Sequence, residues 1–293
     1  MPPKTLTLFD LAPGKVLLDR YKITGTSRHG GMSTAFEAED TRSGDKPGRG
    51  SCELQLFPAA LFETKKQAVE FAQSLTGWMQ IEAPGVLRTR EVHALDDGTI
   101  LYVTDLPPKA SLRAWRGEKA LAPAATIDLG LQLCDALTAI HAAQLVHGDI
   151  KPHTVHVDEK KKLGAVLVDG GITPGLWSAK HLGDKTALIG TPYYAPIEQF
   201  GGESPDVQSD VYNLATLLYE CVTGVLPWHG KSFLDVFQAK LQKAPPAMKT
   251  RAPKVDVPRA LEDAIVSGLM ADRKARCRTA AEFKQKLAAA KGA

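Results

Sequence analysis

Residues 145–157 read LVHGDIKPHTVHV, and in them a carboxylate, Asp149, stands two positions from an ammonium, Lys151. A little further on, VDGG carries a second carboxylate, Asp169. Carboxylates take up protons and suit hard, oxygen-seeking cations such as magnesium, while an ammonium offsets negative charge. The same aspartates could equally brace loops by accepting backbone hydrogen bonds, and the sequence leaves both readings open. Four histidines (His141, His147, His153 and His156) invite a metal hypothesis. They span a helix end, a loop and a strand, whereas zinc ligands keep tighter spacing, so no metal cluster is expected.

The elements that must position these groups come in two textures. Residues 1–20 form a short lead-in. From Tyr21 to about Asp105 the pattern is short strands: YKITGT, STAFEAED, CELQLF, VLRTREVHAL and TILYVTDL. Turn material such as SGDKPGRG and DDG separates several of them. One helix interrupts this region over Glu63–Met79, with Val69, Ala72 and Leu75 on one face. After PPKAS the texture becomes helical. Leu129, Leu133, Leu137 and Ile140 form an apolar stripe. Two short strands follow near 154–157 and 165–169, joined by a solvated turn at Lys160–Lys162, and then a loop-rich stretch to about Glu198. SDVYNLATLLYECVT is apolar almost all round, as expected of a buried helix stopped by Gly224. A last helix opens at Thr279 with Glu282 at capping-box spacing.

The chain has 293 residues, enough for one large core or two lobes, and a formal charge of +3 from 36 basic and 33 acidic side chains. The signs are interspersed, so no nucleic-acid partner is expected. Cys52, Cys134, Cys221 and Cys277 are far apart and form no CxxC pair, which fits reduced, buried thiols in a cytoplasmic protein. No apolar run suggests a membrane segment, and the N-terminus lacks the apolar core of a secretory signal.

YKI…HGGMSTAFEAED, HGDIKPHTV, VDGG, GTPYYAPIEQF, SDVYNLATLLYECVTGVLPW and DRKARCRTAAEF follow one another in that order. From about Tyr21 to Leu287 the chain therefore resembles the bacterial serine/threonine protein kinases. The resemblance implies an α+β, two-lobed fold, with a small β-rich lobe over 21–105 carrying one main helix and a larger helical lobe over 106–290. It also implies chemistry in which ATP and magnesium are positioned, their charge is offset, and an acceptor hydroxyl is aimed.

Carried over residue by residue, the resemblance makes Asp149 the catalytic aspartate and Lys151 the cation beside the moving phosphoryl group. Asp169 falls at the magnesium-binding position, and Thr154 replaces the asparagine that is the second metal ligand. Gly148 replaces an arginine that anchors a phosphorylated activation segment, and Gly170 a phenylalanine that packs the metal-binding turn. In the glycine-rich loop Gly30 fits, Gly31 suits a flexible loop, and Arg28 and Ser33 stand where glycines are expected. CELQ in place of VALK puts Gln55 at the lysine position, and Ser74 stands for the lysine's glutamate partner, with Glu70 one turn earlier. A full charge pair at ~4 Å and an effective dielectric near 20 is worth roughly 4 kcal/mol, on the order of a thousandfold in rate. Arg28 reads as a solvated loop cation, or as one that reaches inward to replace the lysine. Thr104, Asp105 and Leu106 fall at the hinge, with Thr104 at the back of the pocket. His147, Glu198 with Arg276, and Asp210 match structural positions, Asp210 as the residue that caps the central helix and braces the catalytic loop. Thr173, Ser178, Thr186 and Thr191 are hydroxyls open to modification.

The pattern of loss implies a pseudokinase, a module that binds a protein partner and holds ATP and magnesium weakly or not at all. The alternative is an atypical kinase working with Asp149, Lys151 and Asp169.

Overall fold

The computed structural model describes residues 11–29, 33–42, 50–158, 164–182, 192–242 and 244–292. Two compact units emerge, one of residues 1–82 and 87–107, the other of residues 83–86 and 108–293.

The smaller unit contains β1 (Val16–Leu17), β2 (Tyr21–His29), β3 (Thr34–Asp40), β4 (Ser51–Phe57), α1 (Lys65–Thr76), β5 (Thr89–Ala94) and β6 (Ile100–Asp105). The strands form one antiparallel sheet in the order β1-β2-β3-β4-β6-β5. Side chains alternate across a strand, so β4 sends Cys52, Leu54 and Leu56 to one face and Glu53, Gln55 and Phe57 to the other. The first set joins Tyr21, Ile23, Phe36, Ala38, Leu101 and Val103 in an apolar cluster. Leu11 and Leu17 complete it. The stretch read as a lead-in thus supplies β1 and part of the core, through a strand too short to show alternation.

Helix α1 is capped by Thr64, whose hydroxyl accepts from the Gln67 N–H at 3.2 Å. It buries Ala68, Phe71, Ala72 and Leu75, with the Phe71 ring 4.9 Å from that of Phe57. Val69, expected on the buried face, is exposed. Steps of three drift off a face because the helix repeats every about 3.6 residues, and the true stripe uses steps of three and four.

The larger unit contains β7 (Ala110–Ser111), α2 (Leu112–Arg116), α3 (Pro123–Ala142), β8 (Val155–Asp158), β9 (Gly164–Leu167), α4 (Ile172–Ala179), α5 (Ile197–Phe200), α6 (Val207–Thr223), α7 (Phe233–Gln242), α8 (Met248–Arg251), α9 (Arg259–Gly268) and α10 (Ala280–Ala290). The stripe Leu129, Leu133, Leu137 and Ile140 on α3 is buried as expected. Every residue from Ser209 to Thr223 on α6 is buried, and Gly224 ends the helix in the left-handed region at φ 77°. Helices α3, α9 and α10 pack around α6. A Cβ on Gly268 would lie 2.6 Å from the Ala215 Cβ, so the glycine lets α9 close onto α6. At α10 the Thr279 hydroxyl accepts from Glu282 N–H, but the Glu282 carboxylate takes the Arg278 N–H instead of closing a reciprocal box.

The stretch expected to be loop up to Glu198 holds α4, whose residues are buried apart from Pro174 and Ser178. Its apolar content comes from Ile172, Leu176 and Trp177, too short a run to show a period. The expected turn at Lys160–Lys162 lies outside the described residues. All four cysteines are free and buried, and among the described residues no helix is long and apolar enough to cross a membrane.

Glu198 and Arg276 form a bidentate ion pair, with Nη1 to Oε1 at 2.5 Å and Nη2 to Oε2 at 3.0 Å, both side chains buried. Removing one partner strands the other charge away from water. Glu198→Ala is therefore expected to cost about 3–5 kcal/mol in denaturant unfolding. A loss below ~1 kcal/mol would contradict the pair's structural role.

Candidate functional site

Gln55 lies on the α1-facing side of β4, where its Nε2 donates to the Ser33 hydroxyl at 2.7 Å. Both residues are buried. Two residues back on the same face, Glu53 is 1% exposed. Its carboxylate accepts from Ser27 Oγ at 2.6 Å and from Arg28 Nη2 at 2.6 Å and Nε at 3.0 Å. A bulge in β2 between Thr26 and Arg28 leaves Ser27 unpaired in the ladder, so two consecutive residues reach one carboxylate. Arg28 therefore lies in a strand, β2, and not in a loop; it is partly exposed and pairs with Glu53. Glu53 itself was not singled out from sequence, though a charged residue inside the otherwise apolar CELQLF was a signal.

Helix α1 offers Gln55 no substitute partner. The Ser74 hydroxyl donates to the Phe71 carbonyl in its own helix, and Glu70 faces Lys66 at 3.6 Å on the surface. Thr104 is buried opposite Glu53 in the β4–β6 ladder, with no hydrogen-bond partner for its hydroxyl. Asp105 accepts from Arg90 Nε at 2.6 Å, and Leu106 is exposed. Gly30 and Gly31 lie outside the described residues.

In the larger unit the loop that carries Asp149 is held from below. Asp210, in the first turn of α6, has no exposure to water. Its carboxylate accepts the His147 and Gly148 N–H groups, each at 2.8 Å, and lies 2.9 Å from His141 Nε2. The helix cap itself is Asp206, in a reciprocal box with Ser209, so capping and bracing fall to two residues and not to Asp210 alone. His147 Nδ1 accepts from the Asp149 N–H, which leaves Nε2–H to donate to the Val168 carbonyl at 3.0 Å.

Asp149 and Lys151 meet directly, Nζ to Oδ2 at 2.5 Å, both partly exposed. The Thr154 hydroxyl turns into the loop: it donates to the Asp149 carbonyl at 2.6 Å and accepts from the Lys151 N–H at 3.1 Å. Its proton and one of its two lone pairs are used inside the loop, and the residue is buried. The Thr154 carbonyl accepts from Val168 N–H at 2.9 Å, which ties this loop to the turn bearing Asp169. Asp169 is half-buried and sits at φ 64°, a region that costs most side chains energy. Its carboxylate suits magnesium, but the described residues hold no group of three or more His, Cys, Asp or Glu placed for a metal.

Helix α4 starts directly after this turn and lies over the loop. Gly148 is at φ 81°, and a Cβ there would fall 2.5 Å from Pro174 Cδ. The position that the resemblance assigns to an arginine is filled by a proline from α4. Thr173 is buried, Ser178 is exposed, and Thr186 and Thr191 lie outside the described residues.

Gly148→Ala should cost about 2–4 kcal/mol in chemical denaturation, combining backbone strain with the Pro174 clash. Adding Pro174→Gly should return the clash share, so the two changes should be non-additive. An additive pair would place α4 away from this loop.

The sequence model described as the protein kinase domain matches residues 63–287. A probable serine/threonine-protein kinase of Clostridium perfringens is 27% identical over 277 residues, covering 92% of this chain and 38% of the relative. The serine/threonine-protein kinase PkaB of Streptomyces coelicolor is 32% identical over 188 residues, covering 62% of this chain and 45% of the relative. The chain thus spans less than half the length of these curated relatives. Among solved structures, Rad53 in complex with AMP-PNP superposes with a TM-score of 0.72 at 17% identity, over 90% of this chain and 64% of that one. With the two units and the braced loop, these matches place the chain in the protein kinase family, with the bacterial serine/threonine protein kinases.

Proposed function

We propose that the chain is a pseudokinase that uses the kinase fold to bind a protein partner and holds ATP weakly or not at all. The observation that carries this reading is the self-satisfied polar face of the smaller unit. Gln55 is spent on Ser33, and Arg28, which stands at one of the expected glycine positions, is spent on Glu53. A triphosphate needs positive charge and backbone donors there. It would instead meet an uncharged amide and a carboxylate that already holds Arg28. The described residues of this half do not fit ATP. In the larger unit Asp169 and Asp149 could accept a hard cation, but Thr154 is turned inward. Evenly mixed surface charge favours a protein partner over nucleic acid, and four buried thiols suit the cytoplasm.

One observation favours the alternative, an atypical serine/threonine kinase. Asp149 and Lys151 remain in contact on a fully braced loop, the pair that would accept a hydroxyl proton and offset phosphoryl charge.

Thermal shift with ATP and radiolabelled phosphotransfer, each with magnesium and with manganese, separate the two. The expected result is no metal-dependent shift, and incorporation no higher than in Asp149→Asn. Gln55→Lys alone should not restore binding, because Glu53 would pair with the new ammonium; Gln55→Lys with Glu53→Ala and Arg28→Ala should bind more tightly than either. Phosphate incorporation in the unaltered chain that Asp149→Asn abolishes would establish the kinase instead.

A further inference from the structure

Residues 192–196, in GTPYYAPIEQF, are held by a lysine from a distant helix. Lys240 on α7 is 1% exposed. Its ammonium donates to the carbonyls of Pro192 at 3.1 Å, Tyr193 at 2.9 Å and Ala195 at 2.6 Å. Three acceptors match the three N–H bonds of the charged form, and a neutral amine has only two. The rings of Phe200, Tyr212 and Trp228 lie 5.2–5.7 Å from Nζ, close enough for cation–π attraction.

The other ionisable groups around this ammonium are few. Glu198 on α5 is committed to Arg276, whose guanidinium lies 5.0 Å from the Tyr212 ring. Tyr212 on α6 is fully buried, and burial pushes its phenol up, so it stays neutral. Lys240 therefore balances its charge mainly on carbonyl dipoles and ring faces. Burial pushes it down to about 7, with Glu198 pulling the other way.

The same segment has other holds that need no phosphate. Tyr194 Oη donates to Glu220, which also pairs with Arg116 at 2.6 Å, and Asn213 Nδ2 donates to the Tyr194 carbonyl at 2.8 Å. With Gly148 in place of the usual arginine, the loop before Asp149 offers no anchor for a phosphorylated segment.

We propose that Lys240 is the positioning residue of Pro192–Pro196: its ammonium holds the segment in one conformation without phosphorylation, with Tyr193 turned outward. The charge that makes this hold is costly to bury. The folded-state value lies below the ordinary 10.5, so between about 7 and 10.5 the unfolded chain binds more protons and global stability rises with pH. The outward Tyr193 bears on the partner-binding reading, but the test measures the segment and the helix that follows it and stands apart from that reading.

The test is hydrogen exchange on phosphatase-treated protein at about pH 6, where Lys240 is charged. Peptides over 192–203 report on the segment and on α5 directly after it, whose Gln199, Gly201, Gly202 and Glu203 amides bond to the Pro196, Glu198 and Gln199 carbonyls. Lys240→Met should lower this protection about tenfold or more, the scale of a charge-assisted hydrogen bond. Denaturant unfolding between about pH 7 and about pH 10 gives a second measure: the rise of stability with pH in the unaltered chain should vanish in Lys240→Met. Wild-type protection in Lys240→Met, a pH dependence that survives the substitution, or protection that appears only after phosphorylation would overturn the proposal.

Discussion

Asp210 is a carboxylate with no access to water, and the larger unit is arranged around satisfying it. Burying such a group is costly unless donors replace the lost hydration. Three groups lie within hydrogen-bonding reach: the N–H groups of His147 and Gly148, and the His141 ring. The helix that carries it is started by the Asp206 box, so the brace has a rigid base. Asp149 follows Gly148 directly, so the brace sets its position whether or not it has a substrate. Survival of the loop's shape is thus a consequence of Asp210 and says nothing about turnover.

In the smaller unit the buried polar groups of β4 are satisfied in pairs. An isolated lysine-to-glutamine change on a buried face would leave an amide without a partner, and a lone Glu53 would leave an unpaired charge. Neither occurs. Ser33 stands at a position where the family has glycine and receives the Gln55 amide; Arg28 stands at another such position and receives Glu53. The two residues at positions where glycines are expected each pair with a residue of β4. Each pair is coherent as structure.

The large-lobe exchanges share this logic. Gly148 at positive φ gives up the arginine but accepts the Pro174 ring, and Thr154 gives up an amide ligand but pins the loop backbone with its hydroxyl. Segment 192–196 is tethered by Lys240, Glu220 and Asn213. Order is retained through internal partners.

The order of motifs, the strand-to-helix change of texture, the stripe on α3 and the all-apolar α6 were legible in the sequence, because each is a local or periodic signal. Val69, α4 and the strand within the lead-in were not, since runs of a few residues carry no period. The identities at 28, 53, 55 and 154 were equally plain. Whether Arg28 served as a spare cation was not, because the answer depended on a carboxylate 25 residues away in another strand. The sequence by itself determined which chemical groups this protein owns. The tertiary structure decided which of them are already committed, because a buried polar group must find its partner across the fold and not along the chain.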